Sequence, residues 1–285
     1  MPGILFIVWN VDPEIFRIGG FSLRYYSLFF AVAFLLGYWL MQKIFDWEQL
    51  PEQHLGPLLV YIILGTINGA RLGQTLFYEF DYYKDHPLEI ILPFRIHEKG
   101  LEWTGYQGLA SHGGAIGILG ALLLYTRKYK MSFLMLTDRL VIAVALGGFF
   151  IRLGNLFNSE IIGKPSYVPW AFVFTSVDAL PRHPAQLYEA IAYLLIFSFL
   201  WFAYKKGNSR LRPGWLLGCF LVLVFTARFC IEFVKEDQEA FEKNLLLNMG
   251  QLLSIPFILI GIYLIVRRTK NKIPEQVELS FDKNK

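Results

Sequence analysis

The sequence predicts an all-α membrane protein, a polytopic helical bundle with about seven transmembrane helices. Three observations support this fold class: 55% of the 285 residues are apolar, only 18% are charged, and the apolar residues come in long blocks. A soluble domain is typically ~45–50% apolar and ~25% charged. We therefore expect the chain to be embedded in a lipid bilayer.

Seven segments are long enough, or nearly so, to cross a bilayer: residues 23–42, 57–78, 113–129, 138–156, 184–204, 213–234 and 248–266. The chain shows no internal repeat and no low-complexity tract, so we expect one transmembrane domain over residues 1–270 and a polar cytoplasmic tail over 271–285. No basic stretch precedes the apolar N-terminus, which argues against a cleavable signal peptide.

The charges between these spans predict their orientation. The segments after the third, fifth and seventh spans carry an excess of lysine and arginine, whereas residues 81–107 balance bases with acids and 235–243 are net acidic. Cytoplasmic loops carry the basic excess, so we expect the C-terminus in the cytoplasm and the N-terminus outside. A net charge of +4 does not indicate a nucleic-acid partner.

Charged and strongly polar side chains interrupt the predicted spans. A charge at the bilayer centre costs ~2.5–3.5 kcal/mol on insertion scales, so such residues usually have a function. Arg71 lies in the second span and Glu189 in the fifth, and others lie near the predicted outer ends of their spans: His112, Arg152, Asn155, Arg228 and Glu232. We expect these groups to converge on a binding site in the outer half of the bundle.

The residue types at this depth are suited to an anionic headgroup that carries hydroxyls. Arginine forks bind phosphate or carboxylate oxygens bidentately. Gly113 and Gly114 beside His112 allow backbone amides to approach an anion closely. Asparagines offer both donors and acceptors. The residues by themselves do not specify a reaction.

Each group taken alone also has a structural interpretation. Arg228 and Glu232 are four residues apart and could form an ion pair on one helical face. Glu189 could neutralise an arginine, and Arg71 could be a packing device within a run of small residues. His112 could be a histidine with satisfied hydrogen bonds at the interface. These groups are predicted to lie at a similar depth in the membrane, and this common depth favours a binding site over four separate structural roles.

Seven motifs follow one another along the chain: RYY at 24–26, GARLG at 69–73, SHGG at 111–114, RLGNLFNSEIIG at 152–163, RHPAQLYE at 182–189, RFCIEF at 228–233 and NMGQLLS at 248–254. In order and spacing they resemble the prolipoprotein diacylglyceryl transferase family, and the resemblance covers most of the chain. Residues 152–163 are its most specific part. The chain departs from the family's pattern at Ser27, at Val224-Phe225 in place of a tyrosine–glycine pair, and at Lys235 in place of an arginine.

The resemblance implies a multi-pass enzyme of the bacterial inner (cytoplasmic) membrane. It implies transfer of the diacylglyceryl group from phosphatidylglycerol to the thiol of a lipobox cysteine in a prolipoprotein signal peptide. Glycerol phosphate is released, and no metal or organic cofactor takes part. The family's functional residues correspond to Tyr26, His112, Arg152, Asn155, Glu160, Gly163, Arg228 and Glu232. Further substrate-binding candidates are Arg71, Gly113, Gly114, Asn158, His183, Tyr188 and Glu189.

We assign expected roles from the chemistry of that reaction. A thiol with a pKa of ~8.5 is mostly protonated at neutral pH, so a base is needed, and His112 is the candidate. Arg152 and Arg228 are expected to bind the phosphate and stabilise the charge that grows on it. Glu160 and Glu232 are expected to orient these arginines, with Asn155 holding headgroup oxygens.

Other functions remain open. Another phospholipid headgroup transferase is one alternative, although residues 69–73 lack the aspartates that metal-dependent alcohol phosphotransferases need. An intramembrane protease is less well supported, since neither His-Glu-x-x-His nor Gly-x-Ser-x-Gly occurs. A transporter of an organic anion is the non-enzyme alternative, because charged groups in spans also mark transport paths.

Overall fold

Helices account for most of the computed structural model, which describes residues 6–18, 21–92, 94–97, 100–103, 110–207, 211–236 and 247–267. They are α1 (Tyr25–Trp47), α2 (Leu55–Phe77), α3 (Phe80–Tyr83), α4 (Leu88–Ile91), α5 (Ser111–Lys128), α6 (Phe133–Phe157), α7 (Ala185–Gly207), α8 (Trp215–Ile231) and α9 (Met249–Val266). The prediction of a mostly helical membrane protein is confirmed. The tail expected at 271–285 lies outside the described residues.

Each predicted span falls on one of the long helices. Within the described ranges, six helices are long and apolar enough to cross a membrane: α1, α2 with the 3₁₀ turn Glu52–His54 before it, α6, α7, α8 with the turn Glu232–Val234 after it, and α9. The third predicted span is α5, which is not among the six. Only 22% to 44% of each apolar stretch is buried, so most of this surface faces outward, where lipid can cover it.

Short strands occur between the helices and correct the all-α expectation. They are β1 (Ile7–Trp9), β2 (Glu14–Ile18), β3 (Phe21–Arg24), β4 (Phe94–His97), β5 (Gly100–Trp103), β6 (Phe172–Phe174) and β7 (Pro181–Arg182). The hairpins are β2–β3 and β4–β5, while β6 pairs in parallel with β1 and antiparallel with β7. Strands of two to five residues are too short to show the alternation that identifies a strand in a sequence.

The chain divides into two compact units, and the first comprises residues 1–41 and 137–285. Its helices α8 and α9 approach closely at Gly218 and Gly261, where an added Cβ would lie 2.9 Å or less from the other glycine's carbonyl oxygen. The carboxylate of Asp138 accepts hydrogen bonds from the backbone amides of Gly214 (2.6 Å) and Leu217 (2.8 Å). Asp138 thereby satisfies amides that the first turn of α8 leaves unpaired.

The second unit comprises residues 42–136 and contains α2 and α5. These helices pack backbone to backbone through glycines. A Cβ added to Gly113 would lie 2.2 Å from the carbonyl oxygen of Gly69, and one added to Gly117 would lie 2.1 Å from that of Gly65. Small residues at this spacing are typical of closely packed membrane helices.

Candidate active site

The loop that follows α6 holds the most specific motif in a strained conformation. Ser159 and Ile161 have φ angles of 53° and 58°, in the left-handed region. A β-branched residue rarely adopts this conformation, which costs about 1–3 kcal/mol and often marks a functional site. The amide of Glu160, between them, donates to the carbonyl of Asn155 at 3.1 Å. The turn therefore folds Glu160 back toward the end of α6.

The polar side chains of this loop form one connected set. Asn155 donates Nδ2 to Oε1 of Glu160 at 2.7 Å, and Asn158 donates to the same oxygen at 3.3 Å. Arg152 donates Nη1 to Oδ1 of Asn155 at 3.3 Å. Glu160 is thus connected to Arg152 through Asn155, and its expected role in orienting an arginine stays a prediction.

A chain of alternating charges extends from Arg152 into the neighbouring segments. The Nε atom of Arg152 lies 3.0 Å from Oε2 of Glu189. The other oxygen of Glu189 lies 3.5 Å from Nζ of Lys235, which in turn is 3.3 Å from Oε2 of Glu232. Lys235, Glu189 and Glu232 are all buried. Two cations and two carboxylates therefore compensate one another inside the first unit.

The expected ion pair between Arg228 and Glu232 is wrong for the described residues. Glu232 caps the C-terminus of α8, and its amide donates to the carbonyl of Arg228, so the two residues keep their helical spacing. Glu232 pairs with Lys235 instead. Arg228 lines a pocket together with Glu189, and no ion pair joins it to another described residue.

Gly163 lies where three segments meet. Its amide donates to the carbonyl of His183 at 3.0 Å, and its carbonyl accepts from Nη1 of Arg182 at 3.2 Å. An added Cβ would lie 2.5 Å from the His183 carbonyl oxygen and 2.8 Å from that of Val234. Only glycine allows this approach, so Gly163 joins the loop after α6 to β7 and to the end of α8.

Arg182 reinforces the same junction with two carboxylates. It contacts Asp178 at 2.5 Å and Glu236 at 2.9 Å. Hydrogen bonding to this guanidinium lowers the pKa of Asp178. The pKa of Arg182 is raised by the same contact, so both groups are charged at neutral pH.

A second polar chain runs through His183, Tyr188 and Trp170. The indole Nε1 of Trp170 donates to the hydroxyl of Tyr188 at 2.7 Å, and this hydroxyl lies 3.1 Å from Nδ1 of His183. An indole N–H can only donate, so the Tyr188 hydroxyl accepts from Trp170 and can still donate its own proton to a neutral imidazole of His183. Burial lowers the pKa of His183, which favours this neutral form.

Tyr26 lies in the first turn of α1 and packs on α6. A Cβ added to Gly154 would lie 2.8 Å from Cδ2 of Tyr26, so the ring sits directly over the helix next to Asn155. This places Tyr26 beside the motif at 152–163.

The remaining candidates belong to the second unit. His112 is exposed in the first turn of α5. Gly113 and Gly114 are buried, and Gly113 packs on the backbone of α2 rather than forming an open anion-binding turn. Arg71 donates to the carbonyls of Glu89 (2.8 Å) and Ile90 (3.2 Å). These bonds give Arg71 a structural role in fixing the segment after α2.

Sequence reasoning missed several residues of this site. Lys235 was noted only as a departure from a family pattern, while Arg182 with Asp178 and the buried Gln186 received no role. Gln186 donates Nε2 to the carbonyl of Glu160 at 2.6 Å and is fully buried. A buried side-chain amide in a predicted span is the sequence signal that could have identified Gln186.

No cluster of three or more metal-binding side chains occurs among the described residues.

Comparison with known proteins gives one consistent result. The profile of a family described as prolipoprotein diacylglyceryl transferase matches residues 13–267. The chain is 46% identical over 270 residues to the phosphatidylglycerol–prolipoprotein diacylglyceryl transferase of Bacteroides fragilis, covering 94% of this chain and 98% of that protein. It is 48% identical over 266 residues to the protein of the same name from Chloroherpeton thalassium, covering 93% and 95%.

The protein of this name from Porphyromonas gingivalis is 41% identical over 288 residues, covering 95% of this chain and 98% of that protein. The match extends through every part of the site described above, from Tyr26 to Lys235. The chain therefore belongs to the prolipoprotein diacylglyceryl transferase family of enzymes.

Proposed function

We propose that this enzyme transfers the diacylglyceryl group of phosphatidylglycerol to the thiol of a lipobox cysteine in a prolipoprotein signal peptide. Family membership supports this reaction. The observation that carries it in the structure is the connected set Arg152–Asn155–Glu160 on the strained turn after α6. A cationic group held in this way suits the phosphate of an anionic lipid. No observation favours the transporter or another headgroup transferase.

Two arginines have the chemistry to bind the phosphate. Arg152 forms an ion pair with Glu189 and donates to Asn155, while Arg228 has no carboxylate partner within the described part of the chain. Breaking the carbon–oxygen bond of the phosphate ester puts negative charge on the departing glycerol phosphate. A preorganised guanidinium stabilises that charge without reorganisation. We assign Arg152 and Arg228 this role, with Asn155 and Asn158 as headgroup contacts.

The thiol of the peptide is the nucleophile. As the sulfur–carbon bond forms, the thiol proton must leave, and the carbon–oxygen bond to the phosphate breaks. We assign proton acceptance to His112, an exposed imidazole at the start of a helix. The released glycerol phosphate takes away the electron pair of the broken bond. Tyr26, Gly163, His183, Tyr188, Glu189 and Glu232 are proposed to shape or orient the substrate site.

We also propose how the chain crosses the membrane, in more detail than the six apolar helices by themselves imply. We propose that α5 is a seventh span, because its 18 residues extend ~27 Å and its glycines pack against the spanning helix α2. The N-terminus is then outside and the C-terminus cytoplasmic, in agreement with the basic loops. The proposed location is the bacterial inner membrane, where phosphatidylglycerol and exported prolipoproteins meet.

The decisive experiment combines the purified full chain, phosphatidylglycerol and a synthetic lipobox peptide. We expect mass spectrometry to show a peptide heavier by one diacylglyceryl group, with glycerol phosphate released in equal amount. A peptide with serine in place of the lipobox cysteine is the matched control and should not react. Movement of the lipid between vesicles without chemical change would instead indicate a transporter.

A further inference from the structure

Lys235 lies between two carboxylates and links them. Its Nζ atom is 3.3 Å from Oε2 of Glu232 and 3.5 Å from Oε1 of Glu189, and its side chain is only 3% exposed. Glu189 also holds Arg152 at 3.0 Å. Arg152 can neutralise only one of these two carboxylates. The buried ammonium of Lys235 balances the charge of the other.

Glu232 is held from a second side by the start of α9. A Cβ added to Gly250 would lie 2.7 Å from Oε1 of Glu232, so this oxygen rests on the first turn of that helix. The turn itself is fixed by Asn248, whose side chain accepts from the amide of Gln251 at 2.9 Å. A helix N-terminus favours a nearby negative charge. The carboxylate of Glu232 therefore packs against the first turn of α9, while its Oε2 accepts from Lys235.

Arg228 lies near both carboxylates and pairs with neither. It precedes Glu232 by four residues and lines the same pocket as Glu189. Within the described ranges, the ion pairs of these carboxylates are made with Lys235 and Arg152. If Lys235 were uncharged, one carboxylate would be left uncompensated in a buried setting. Arg228 shares a pocket with Glu189 and precedes Glu232 by one helical turn, and the attraction between it and such a carboxylate is strong where water is excluded.

We propose that Lys235 is a positioning residue that keeps Arg228 available to the substrate. By neutralising Glu232 and Glu189, it prevents either carboxylate from competing with the lipid phosphate for the Arg228 guanidinium. A lysine suits this role because its compact ammonium has three donors and can serve two carboxylates at once. The inference rests on the proposed function, since it concerns how the phosphate of phosphatidylglycerol is recognised.

The test is the apparent KM for phosphatidylglycerol, measured with the full chain at a saturating concentration of lipobox peptide. Lys235→Met removes the charge and Lys235→Arg retains it. Lys164→Met is the matched control, because Lys164 is an exposed cation nearby whose Nζ donates to the carbonyl of Phe233 at 3.2 Å. The double variant Lys235→Met/Glu232→Gln restores the charge balance. Thermal unfolding of each variant is followed alongside.

We expect Lys235→Met to raise this KM roughly tenfold or more, because it leaves a buried carboxylate uncompensated, with a smaller change in kcat. Lys235→Arg and Lys164→Met should stay close to wild type. The double variant should recover much of the lost affinity, whereas a purely structural lysine predicts that the second change adds further damage. If Lys235→Met does not fold, Lys235→Gln takes its place in the test, because the amide keeps a hydrogen-bond donor but removes the charge.

An unchanged KM in the uncharged variants would overturn the inference. So would a double variant no better than Lys235→Met. A wild-type protein that transfers no diacylglyceryl group would overturn the proposed function itself, which separates the two failures.

Discussion

Glu189 on α7 places Oε2 3.0 Å from Nε of Arg152 on α6, and the two side chains are only 4% and 16% exposed. Charges removed from water to this extent depend on each other, because loss of one partner leaves the other uncompensated. The charge of the Arg152 guanidinium is therefore balanced by a residue that the next motif along the chain supplies.

Glu189→Gln tests this dependence, since the amide keeps the size of the side chain but not its charge. We expect a loss of roughly 3–5 kcal/mol in the free energy of unfolding, the usual cost of breaking a buried pair, together with loss of transfer. Thermal unfolding in detergent and the transfer assay measure both. Glu14→Gln, which breaks an exposed pair with Arg17, is the control and should change little. An equally stable and active Glu189→Gln protein would contradict the assigned role.

Arg228→Lys tests recognition of the phosphate by a planar fork. The substitution keeps the positive charge but loses the bidentate geometry, so the protein should fold normally. We expect transfer to fall by about 10²–10³-fold, as when one preorganised donor to a developing charge is removed. Arg17→Lys, at an exposed position, is the control for the effect of exchanging an arginine for a lysine. Near wild-type transfer by Arg228→Lys would exclude a bidentate role for this residue.

His112→Gln tests the general base. Transfer should fall by ~10²–10⁴-fold, the usual effect of losing such a group, while phosphatidylglycerol binding should change little. As the pH approaches the ~8.5 pKa of a free thiol, thiolate forms unaided and the variant should recover part of its rate. The transfer rate of the wild-type protein should depend less on pH over this range.

His86→Gln is the matched histidine control, because His86 is exposed in the same unit and contacts the carbonyl of Tyr82 at 3.0 Å. It should follow the wild-type pH profile. Parallel profiles for wild type and His112→Gln, combined with weaker lipid binding by the variant, would show that His112 contacts the headgroup and is not the base.

His183 predicts a pH dependence of stability. Burial lowers its pKa in the folded state, so between the unfolded value of ~6.5 and the lower folded value, the unfolded chain binds more protons. Stability should therefore fall as the pH decreases through this window and level off below it. Thermal unfolding of wild type and His183→Gln across pH 5–7 measures the difference. The variant should show a shallower decline; equal slopes would mean that His183 does not contribute.

Cysteine labelling tests the proposed orientation. Single cysteines at Lys84 and Lys206 are introduced after Cys219 and Cys230 have been replaced. An impermeant thiol reagent applied to intact spheroplasts should label position 84 and spare position 206, because the basic loop is cytoplasmic. Permeabilised cells, in which both should react, are the control. The reverse pattern in intact spheroplasts would invert the topology.

The apolar blocks were sufficient to predict the long helices, because a bilayer requires about 20 apolar residues from each span. They could not predict β1 or β6, whose three-residue lengths carry no periodic signal. The single transmembrane domain expected over residues 1–270 stays a prediction.

The composition of the candidate site stays a prediction, whereas several pairings among its residues can be compared with the structure. Helical spacing suggested that Glu232 pairs with Arg228, but its carboxylate pairs with Lys235, which the 3₁₀ turn Glu232–Val234 brings back to it. Glu189 was correctly considered as a partner for an arginine, and the structure identifies Arg152. Lys235 also pairs with Glu189, which only the tertiary fold brings to it and which sequence spacing does not reveal.

The glycine contact between α2 and α5 affects how mutations there should be read. At Gly69, Gly73, Gly113 and Gly117, a single added carbon would lie within 2.7 Å of backbone atoms in the facing helix. Alanine scanning, designed as the mildest deletion of a side chain, would act here as an insertion into a filled space. An inactive Gly113→Ala protein would thus report separated helices, although its position in the SHGG motif suggests lost contact with substrate.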